Sequence, residues 1–291
     1  MRLCPVCYKA FVATTWHCPY CGGQPEERSG FPSFAPELSS DEGFKDAHFH
    51  ELVDLEAHNF WFRARNRLIL WALGRYFPKA ANFLEVGCGT GFVLSGMAAA
   101  RPKLKLSGSE ISSAGLAHAA VRVPGAELFQ MDARTIPFSD EFDVIGAFDV
   151  LEHIEEDGVV LGQMHRAVRT GGGILITVPQ HDFLWSRMDE HACHVRRYAA
   201  RKLTDKVHAA GFRVERVTSF VSLLLPLMLA SRLRQLKEKE GDSYDPLAEL
   251  RIVGFANAML EGVMTVERAA IRMGFNFPAG GSLLLIARKS S

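Results

Sequence analysis

The 291-residue sequence has no surplus of either charge: lysine plus arginine and aspartate plus glutamate each number 33. A chain built mainly to grip a phosphate backbone carries a basic excess, so this balance counts against nucleic acid as the main partner. A local basic patch can still hide inside a neutral total. Long apolar runs are missing as well. The longest, around 220–230, is too short to cross a bilayer and is broken by Pro226. Arg2 has no apolar stretch behind it, so no secretory signal is expected. Cysteine is sparse: six in all, of which four lie in two CxxC pairs. That usage fits metal binding in a reducing compartment better than a disulfide scaffold, and the expected setting is the cytoplasm. With 48% hydrophobic and 23% charged residues the chain has the composition of an ordinary globular protein, not of a disordered one.

Three zones are visible, without internal repeats. Residues 1–24 are short and cysteine-paired. Residues 25–42 (PEERSGFPSFAPELSSDE) are rich in Pro, Ser and acids and read as a linker. From 43 to 291 the pattern is long and globular. Helical spacing runs through Phe49, Leu52 and Leu55 and again from Phe60 to Tyr76, which predicts two helices. Short apolar runs at 82–86, 104–109, 126–130, 143–148, 173–178, 212–219 and 282–288 then alternate with helical stretches near 92–100, 113–121, 158–169 and 200–210. Such alternation predicts an α/β, Rossmann-like sheet with helices on both faces and a ligand crevice at the carboxyl ends of the strands. An insertion at about 220–277 breaks the rhythm, and the last run closes the sheet.

The run 82–86 leads at once into Gly87-Cys88-Gly89-Thr90-Gly91 and then a helix. Glycine is required there because the backbone turns sharply and must approach a ligand without Cβ atoms in the way. Glu110 closes the next strand, where an acid can accept hydrogen bonds from both ribose hydroxyls. These features point to an adenine nucleotide. A dinucleotide site uses similar glycines and a similar acid.

The motifs in order resemble those of bacterial class I S-adenosylmethionine-dependent methyltransferases. FLEVGCGTG (83–91) is a GxGxG turn preceded by Glu85 rather than the dinucleotide GxGxxG. QMDARTIPFSDEFD (130–143), FDVIGAFDVLEHI (142–154) and RTGGGILITVP (169–179) resemble the second, fourth-strand and fifth-strand motifs. The resemblance implies a seven-stranded sheet whose last strand is antiparallel. It also implies S-adenosylmethionine held by Glu85 near its methionine end, by Gly87, Gly89 and Gly91, and by Glu110 and Ile111. Asp132 and Ala133 meet the adenine, and Asp149, Val150 and Leu151 line the pocket. HNFWFRARNR (58–67) resembles a cap helix of a subset, implying that Trp61, Arg63 and Arg65 close over the cofactor.

Methyl transfer from a sulfonium is an in-line displacement, so the acceptor must be held close and water kept out. A hydroxyl acceptor benefits from a base, and histidine suits neutral pH. His153, just past the fourth strand, is the first candidate. The segment HDFLWSRMDEHACHVRRY (181–198) follows the fifth strand and overhangs the same crevice. It supplies His181, His191, His194 and Tyr198, with Arg196 and Arg197 suited to an acceptor phosphate or carboxylate. In a helix His194 and Tyr198 would lie one turn apart and face the acceptor together. His191, Cys193 and His194 are too crowded for an easy coordination sphere, so no second metal is expected there.

Cys4-Pro-Val-Cys7 and Cys18-Pro-Tyr-Cys21 form two knuckles that supply the tetrahedral four a structural zinc prefers, and so small a segment would draw its folding energy from the metal. A zinc module ahead of this domain type also occurs in some ribosomal-RNA methyltransferases, which keeps RNA open as an acceptor. The module itself offers only Arg2, Lys9 and His17 for phosphate. A non-catalytic, partner-holding protein of the same fold is a third reading. Within the insertion, apolar 221–230 followed by basic SRLRQLKEKE (231–240) fits either a buried helix with a charged end, serving as part of a helical lid, or a helix lying on an anionic membrane. The tail at 275–289 resembles methyltransferases of polysaccharide and lipid-linked sugar pathways. The expected substrate is therefore a small or lipid-linked metabolite, methylated on oxygen in the first reading and on nitrogen in the second; the sequence does not name the atom. Neither the acceptor nor the oligomeric state is named by the sequence.

Overall fold

The computed structural model describes residues 1–38, 46–235, 251–252 and 254–290. The chain opens on a small hairpin, β1 (Arg2–Leu3) and β2 (Ala10–Phe11). A second hairpin follows, β3 (Glu26–Arg28) and β4 (Phe31–Ser33), then helices α1 (Asp46–His58) and α2 (Phe60–Tyr76). The alternating part runs β5 (Asn82–Val86), α3 (Phe92–Ala100), β6 (Lys105–Glu110), α4 (Ser113–Arg122), β7 (Glu127–Gln130), β8 (Phe142–Phe148), α5 (Asp157–Ala167) and β9 (Val168–Pro179). After it come α6 (Arg187–His191), α7 (Ala200–Ala209), β10 (Phe212–Phe220), α8 (Leu225–Gln235), α9 (Gly254–Arg272) and β11 (Ser282–Lys289).

The expected sheet is present. Seven strands stand in the order β10-β11-β9-β8-β5-β6-β7, and β11 runs antiparallel to both neighbours. The chain builds β5, β6 and β7 outward in one direction and β8 and β9 in the other. The topological switch therefore lies between β5 and β8, and a crevice opens beyond their carboxyl ends. One apolar layer packs α2, α3 and α4 against one face of the sheet, while α5 and α7 cover the other.

Two expectations need correction. Residues 25–42 are not simply a linker: β3 and β4 extend the sheet to nine strands, with Ser33 pairing parallel to Gln130 of β7. Ser29 and Gly30 both adopt positive φ (51° and 81°), the two-residue turn that matches strand twist. The Gln130 side chain secures the join, accepting from Ser33 Oγ (2.7 Å) and the Ala35 N–H (3.0 Å) and donating to the Ala35 carbonyl (2.6 Å). Residues 39–42 lie outside the described residues.

The insertion, expected as a helical lid, is also more deeply seated. Leu260, Met264 and Ile271 of α9 join the core cluster of α2, and Asn257 clamps the α1–α2 junction by accepting from the Phe60 N–H (2.8 Å) and donating to the His58 carbonyl (2.9 Å). Buried Glu267 accepts the N–H groups of Val221, Ser222 and Leu223 at 2.6–2.8 Å, satisfying the backbone just ahead of α8. The basic run at 231–240 passes beyond Gln235 out of the described residues.

Candidate active site and cysteine centre

The glycine turn after β5 is shaped by sterics. Gly87 has φ 69°, and a Cβ there would stand 2.5 Å from Cγ2 of Val150. Gly91 has φ 77°, and its Cβ would press to 3.0 Å on the Ala119 backbone, so α3 starts in contact with α4. Gly89 faces open space, where a ligand must approach. Glu110, at the end of β6, accepts from the Gly89 N–H (2.9 Å) and the Ile111 N–H (2.9 Å). Its carboxylate is thereby fixed beside the turn, with Ile111 partly exposed next to it. Asp132 and the buried Ala133 follow β7, and Asp132 accepts from the backbone N–H (2.8 Å) and Nε (2.9 Å) of Arg134. Thr90, within the turn, donates to Glu56 of α1 (2.6 Å), which Arg122 also pairs (2.6 Å). Glu56 is a tie that the sequence reading did not single out.

At the switch point Asp149 takes a positive φ of 59° at the end of β8, a conformation Asp tolerates better than most residues. Thr177 donates to it at 3.3 Å, and Arg65 forms an ion pair with its other oxygen. The buried Arg65 guanidinium lies over the rings of Trp61 (4.6 Å) and Phe62 (5.8 Å) and feels Glu85, Glu56 and Glu152 as well. Glu85 itself is buried on β5, and one of its oxygens, Oε2, has no partner. Burial pushes its carboxyl well above the ordinary range. Arg65, with Trp61 against it, thus stands beside Asp149, whereas Arg63 turns to Glu261 on α9.

Just beyond Val150, residues Leu151–His153 form a single helical turn. His153 meets His194 edge-to-face, with ring centroids 4.7 Å apart. Glu152 joins them: one ligand atom from each of Glu152, His153 and His194 lies within 4.8 Å of the others. The Glu152 carboxylate is 0% exposed and neither of its oxygens has a partner. Burial drives its pKa up to about 8, against the pull of its own backbone N–H first and of Arg65 and Arg197 after it. Desolvation first, and the neighbouring His194 second, hold His153 below the usual histidine range, so it is neutral at pH 7.

The 181–198 segment is held in place by Asp189. It accepts from Ser186 N–H (2.8 Å) and Oγ (2.9 Å), from Nε (2.8 Å) and Nη2 (2.9 Å) of Arg197, and is 2.8 Å from Nδ1 of His194. Three expectations are overturned here. Residues 194–198 are not helical, and Tyr198 turns into the core, only 1% exposed, donating to Asp157 (2.7 Å) and the Leu151 carbonyl (3.2 Å). His191 ends α6 on the surface, apart from the Glu152–His153–His194 cluster. Arg196 and Arg197 are already paired by Asp157, Glu155 and Asp189 of the chain itself. A cavity of about 580 Å³ does open beside this segment, with Trp185, Arg196, Arg197, Tyr198, Lys202 and Lys206 among its lining.

At the other end of the molecule the four N-terminal thiols converge, all free and all within 4.8 Å of one another. Cys4 and Cys21 are 3.6 Å apart and Cys7 and Cys18 3.7 Å. Four sulfurs at about 2.3 Å from a tetrahedral zinc stand roughly 3.8 Å from each other, so the donor set and spacing fit that ion. Backbone N–H groups of Val6, Tyr20 and Gly23 point at three of the sulfurs (3.4 Å each), as a thiolate would require. The module is docked on the sheet. Trp16 packs edge-on against Phe34, Phe129 and Phe138, while Arg2 lies over Trp16 (4.2 Å) and pairs Glu127 (2.7 Å).

A family described as methyltransferase domain matches residues 54–217. A Mycolicibacterium smegmatis protein described as a probable S-adenosylmethionine-dependent methyltransferase is 28% identical over 165 residues, covering 55% of this chain and 62% of its own length. A Mycobacterium tuberculosis protein of the same description is 26% identical over 248 residues, 81% of this chain and 85% of the relative. Among solved structures, the complex of the Haloferax volcanii Trm112 methyltransferase activator with a methyltransferase matches 84% of this chain and 95% of the solved one, at TM-score 0.56 and 15% identity. The [4+2]-cyclase SpnF matches at TM-score 0.51 and 19% identity, covering 79% of this chain and 83% of that chain, so likeness of fold does not by itself fix the reaction. The family match is to sequence and takes in more than half of the residues, and on that ground the chain belongs to the class I S-adenosylmethionine-dependent methyltransferases.

Proposed function

We propose that the chain transfers the methyl group of S-adenosylmethionine to an oxygen atom of a small or lipid-linked metabolite in the cytoplasm. In this reading Glu110 takes the ribose hydroxyls, and Ile111, Asp132 and Ala133 take the adenine. The turn from Gly87 to Gly91 passes the methionine part toward Glu85, Asp149 and Val150, with Arg65 and Trp61 behind. The observation that carries the choice of oxygen is the Glu152–His153–His194 cluster beside the switch point. A hydroxyl must lose its proton as the new O–CH3 bond forms, whereas an amine attacks through a lone pair it already has. A neutral His153 imidazole next to the expected methyl position fits the first need.

Nitrogen is the second reading. A Cereibacter sphaeroides phosphatidylethanolamine N-methyltransferase is 34% identical over 105 residues, 34% of this chain and half of that protein. The same name favours a lipid-linked acceptor. So does the exposed apolar surface of Leu223, Leu227 and Leu233 with Phe255, Met259 and Val266 on α8, α9 and the approach to α8. The RNA reading is weaker, since Arg2 is engaged by Glu127 and Trp16. For the cysteine module we propose a closed, structural zinc on Cys4, Cys7, Cys18 and Cys21.

The test is S-adenosylhomocysteine release over a panel of hydroxyl and amine acceptors, the methylated atom being read from the product by NMR. His153→Ala and His194→Ala should each lower kcat by about 10²–10⁴-fold with little change in cofactor affinity. Full activity in both variants would remove the cluster from the chemistry.

A further inference from the structure

The buried carboxylate at position 152 is hard to explain as part of a folded core. A carboxyl group shut away from water without a hydrogen bond costs stability, and cores avoid it. Here both oxygens of Glu152 are orphaned, yet the side chain ends beside two imidazoles. Those imidazoles are prepared in a particular way. Asp189 already accepts four hydrogen bonds, two from Ser186 and two from Arg197, whose guanidinium pairs it as a carboxylate. An ionised carboxylate only accepts, so the His194 nitrogen 2.8 Å away, Nδ1, must carry the proton. That leaves Nε2 as the ring atom able to take a ligand. His153 is likewise held by one bond to the Ala192 backbone, which leaves its second ring nitrogen available. A carboxylate orienting a histidine whose far nitrogen is free is the usual second layer of a metal site.

We propose that Glu152, His153 and His194 bind a divalent transition-metal ion in the methyl-transfer crevice, with Asp189 as the residue that positions His194. Two imidazoles and a carboxylate suit zinc, cobalt, iron(II) or manganese, with donor distances of about 2.0–2.2 Å. Three protein ligands leave coordination positions open for a substrate oxygen. The sequence-level objection to a metal in this loop concerned His191, Cys193 and His194. The structure takes only His194 from that group and draws the other two donors from the helical turn after β8, which removes the crowding.

The inference rests on the proposed oxygen methylation, replaces direct proton removal by the two imidazoles with metal activation, and gives that site its acceptor class: a hydroxyl that reaches the metal through its oxygen. Coordination lowers the hydroxyl pKa, and its proton leaves to solvent. The oxygen lone pair then attacks the methyl carbon, the C–S bond breaks with its electrons going to sulfur, and the methyl ether and S-adenosylhomocysteine result. No electron is gained or lost by the metal.

The experiment uses the full chain with its cysteine module saturated with zinc, titrated with Co²⁺ and followed by visible absorption and by metal analysis after equilibrium dialysis. One Co²⁺ per chain beyond the zinc is expected, with the weaker bands of a nitrogen–oxygen site rather than thiolate charge transfer. The isosteric Glu152→Gln and His194→Ala variants should each lose that cobalt, and Asp189→Asn should weaken it about 10–100-fold. S-adenosylhomocysteine binding, measured on the same samples, tells whether each variant is folded. No stoichiometric cobalt in a wild-type protein that binds S-adenosylhomocysteine overturns the metal site and leaves the methyltransferase reading standing. So does cobalt bound equally by folded Glu152→Gln and His194→Ala. Stoichiometric cobalt in a chain that methylates only amines would keep the metal and overturn the hydroxyl acceptor.

Discussion

Side-chain direction, which a linear motif does not contain, decides which residues can act. Tyr198 stands in a polar, functional-looking run, but its hydroxyl donates to Asp157 inside the core, and burial raises its pKa far above neutrality. Tyr198→Phe should therefore cost about 1–2 kcal/mol of stability and change kcat less than about twofold, as read by thermal denaturation and initial rates. A large loss of kcat with unchanged stability would return Tyr198 to the chemistry. Gly87 is the opposite case: its requirement is written in the sequence and met in the structure. Gly87→Ala places a methyl group against Val150 in a left-handed backbone, so it should destabilise by about 1–3 kcal/mol and weaken cofactor binding, measurable by calorimetry. Glu152 was missed because an acid at the start of a short helical turn normally looks like a solvated end. Only the fold shows that residue 195 crosses it, donating its N–H to the Glu152 carbonyl at 2.8 Å, and closes it off.

Among elements, the strands and the glycine turn were legible because their signals are local: apolar runs of strand length, glycines where φ is positive, an acid at a strand end. The β3–β4 hairpin was not. Its strands read EER and FPS, too short and too polar to alternate, and what makes them strands is a partner about a hundred residues away, Gln130. The same hairpin brings Phe34 beside Trp16, so the cysteine module, β4 and β7 share one apolar contact. Removing the zinc proposed for the module should then lower the melting temperature of the entire protein, not merely release a tether. Trp16→Ala, which leaves all four cysteines in place, should cost about 3 kcal/mol by chemical denaturation. A loss near zero would mean that the module is only tethered.

For the molecule as a whole, the residues of the site come from widely separated parts of the chain and meet only at the switch point. Glu85, Asp149 and Glu152 arrive on β5 and just past β8, Arg65 on α2, and His194 on the segment after β9. The helical insertion supports this arrangement from behind, with Arg63 and Arg67 pairing Glu261 and so joining α2 to α9. A neutral total charge, an apolar outer surface on α8 and α9, and a crevice lined by buried acids all fit a metabolite better than a nucleic acid. The central claim beneath these details is that the crevice holds S-adenosylmethionine with its ribose on Glu110. Its most direct test is calorimetric titration of the full chain with S-adenosylhomocysteine, wild type beside Glu110→Ala. Saturable binding of one ligand per chain, weakened at least about tenfold (about 1.4 kcal/mol) in the variant, is the predicted result. Absence of saturable binding, or equal affinity in the two proteins, would contradict it.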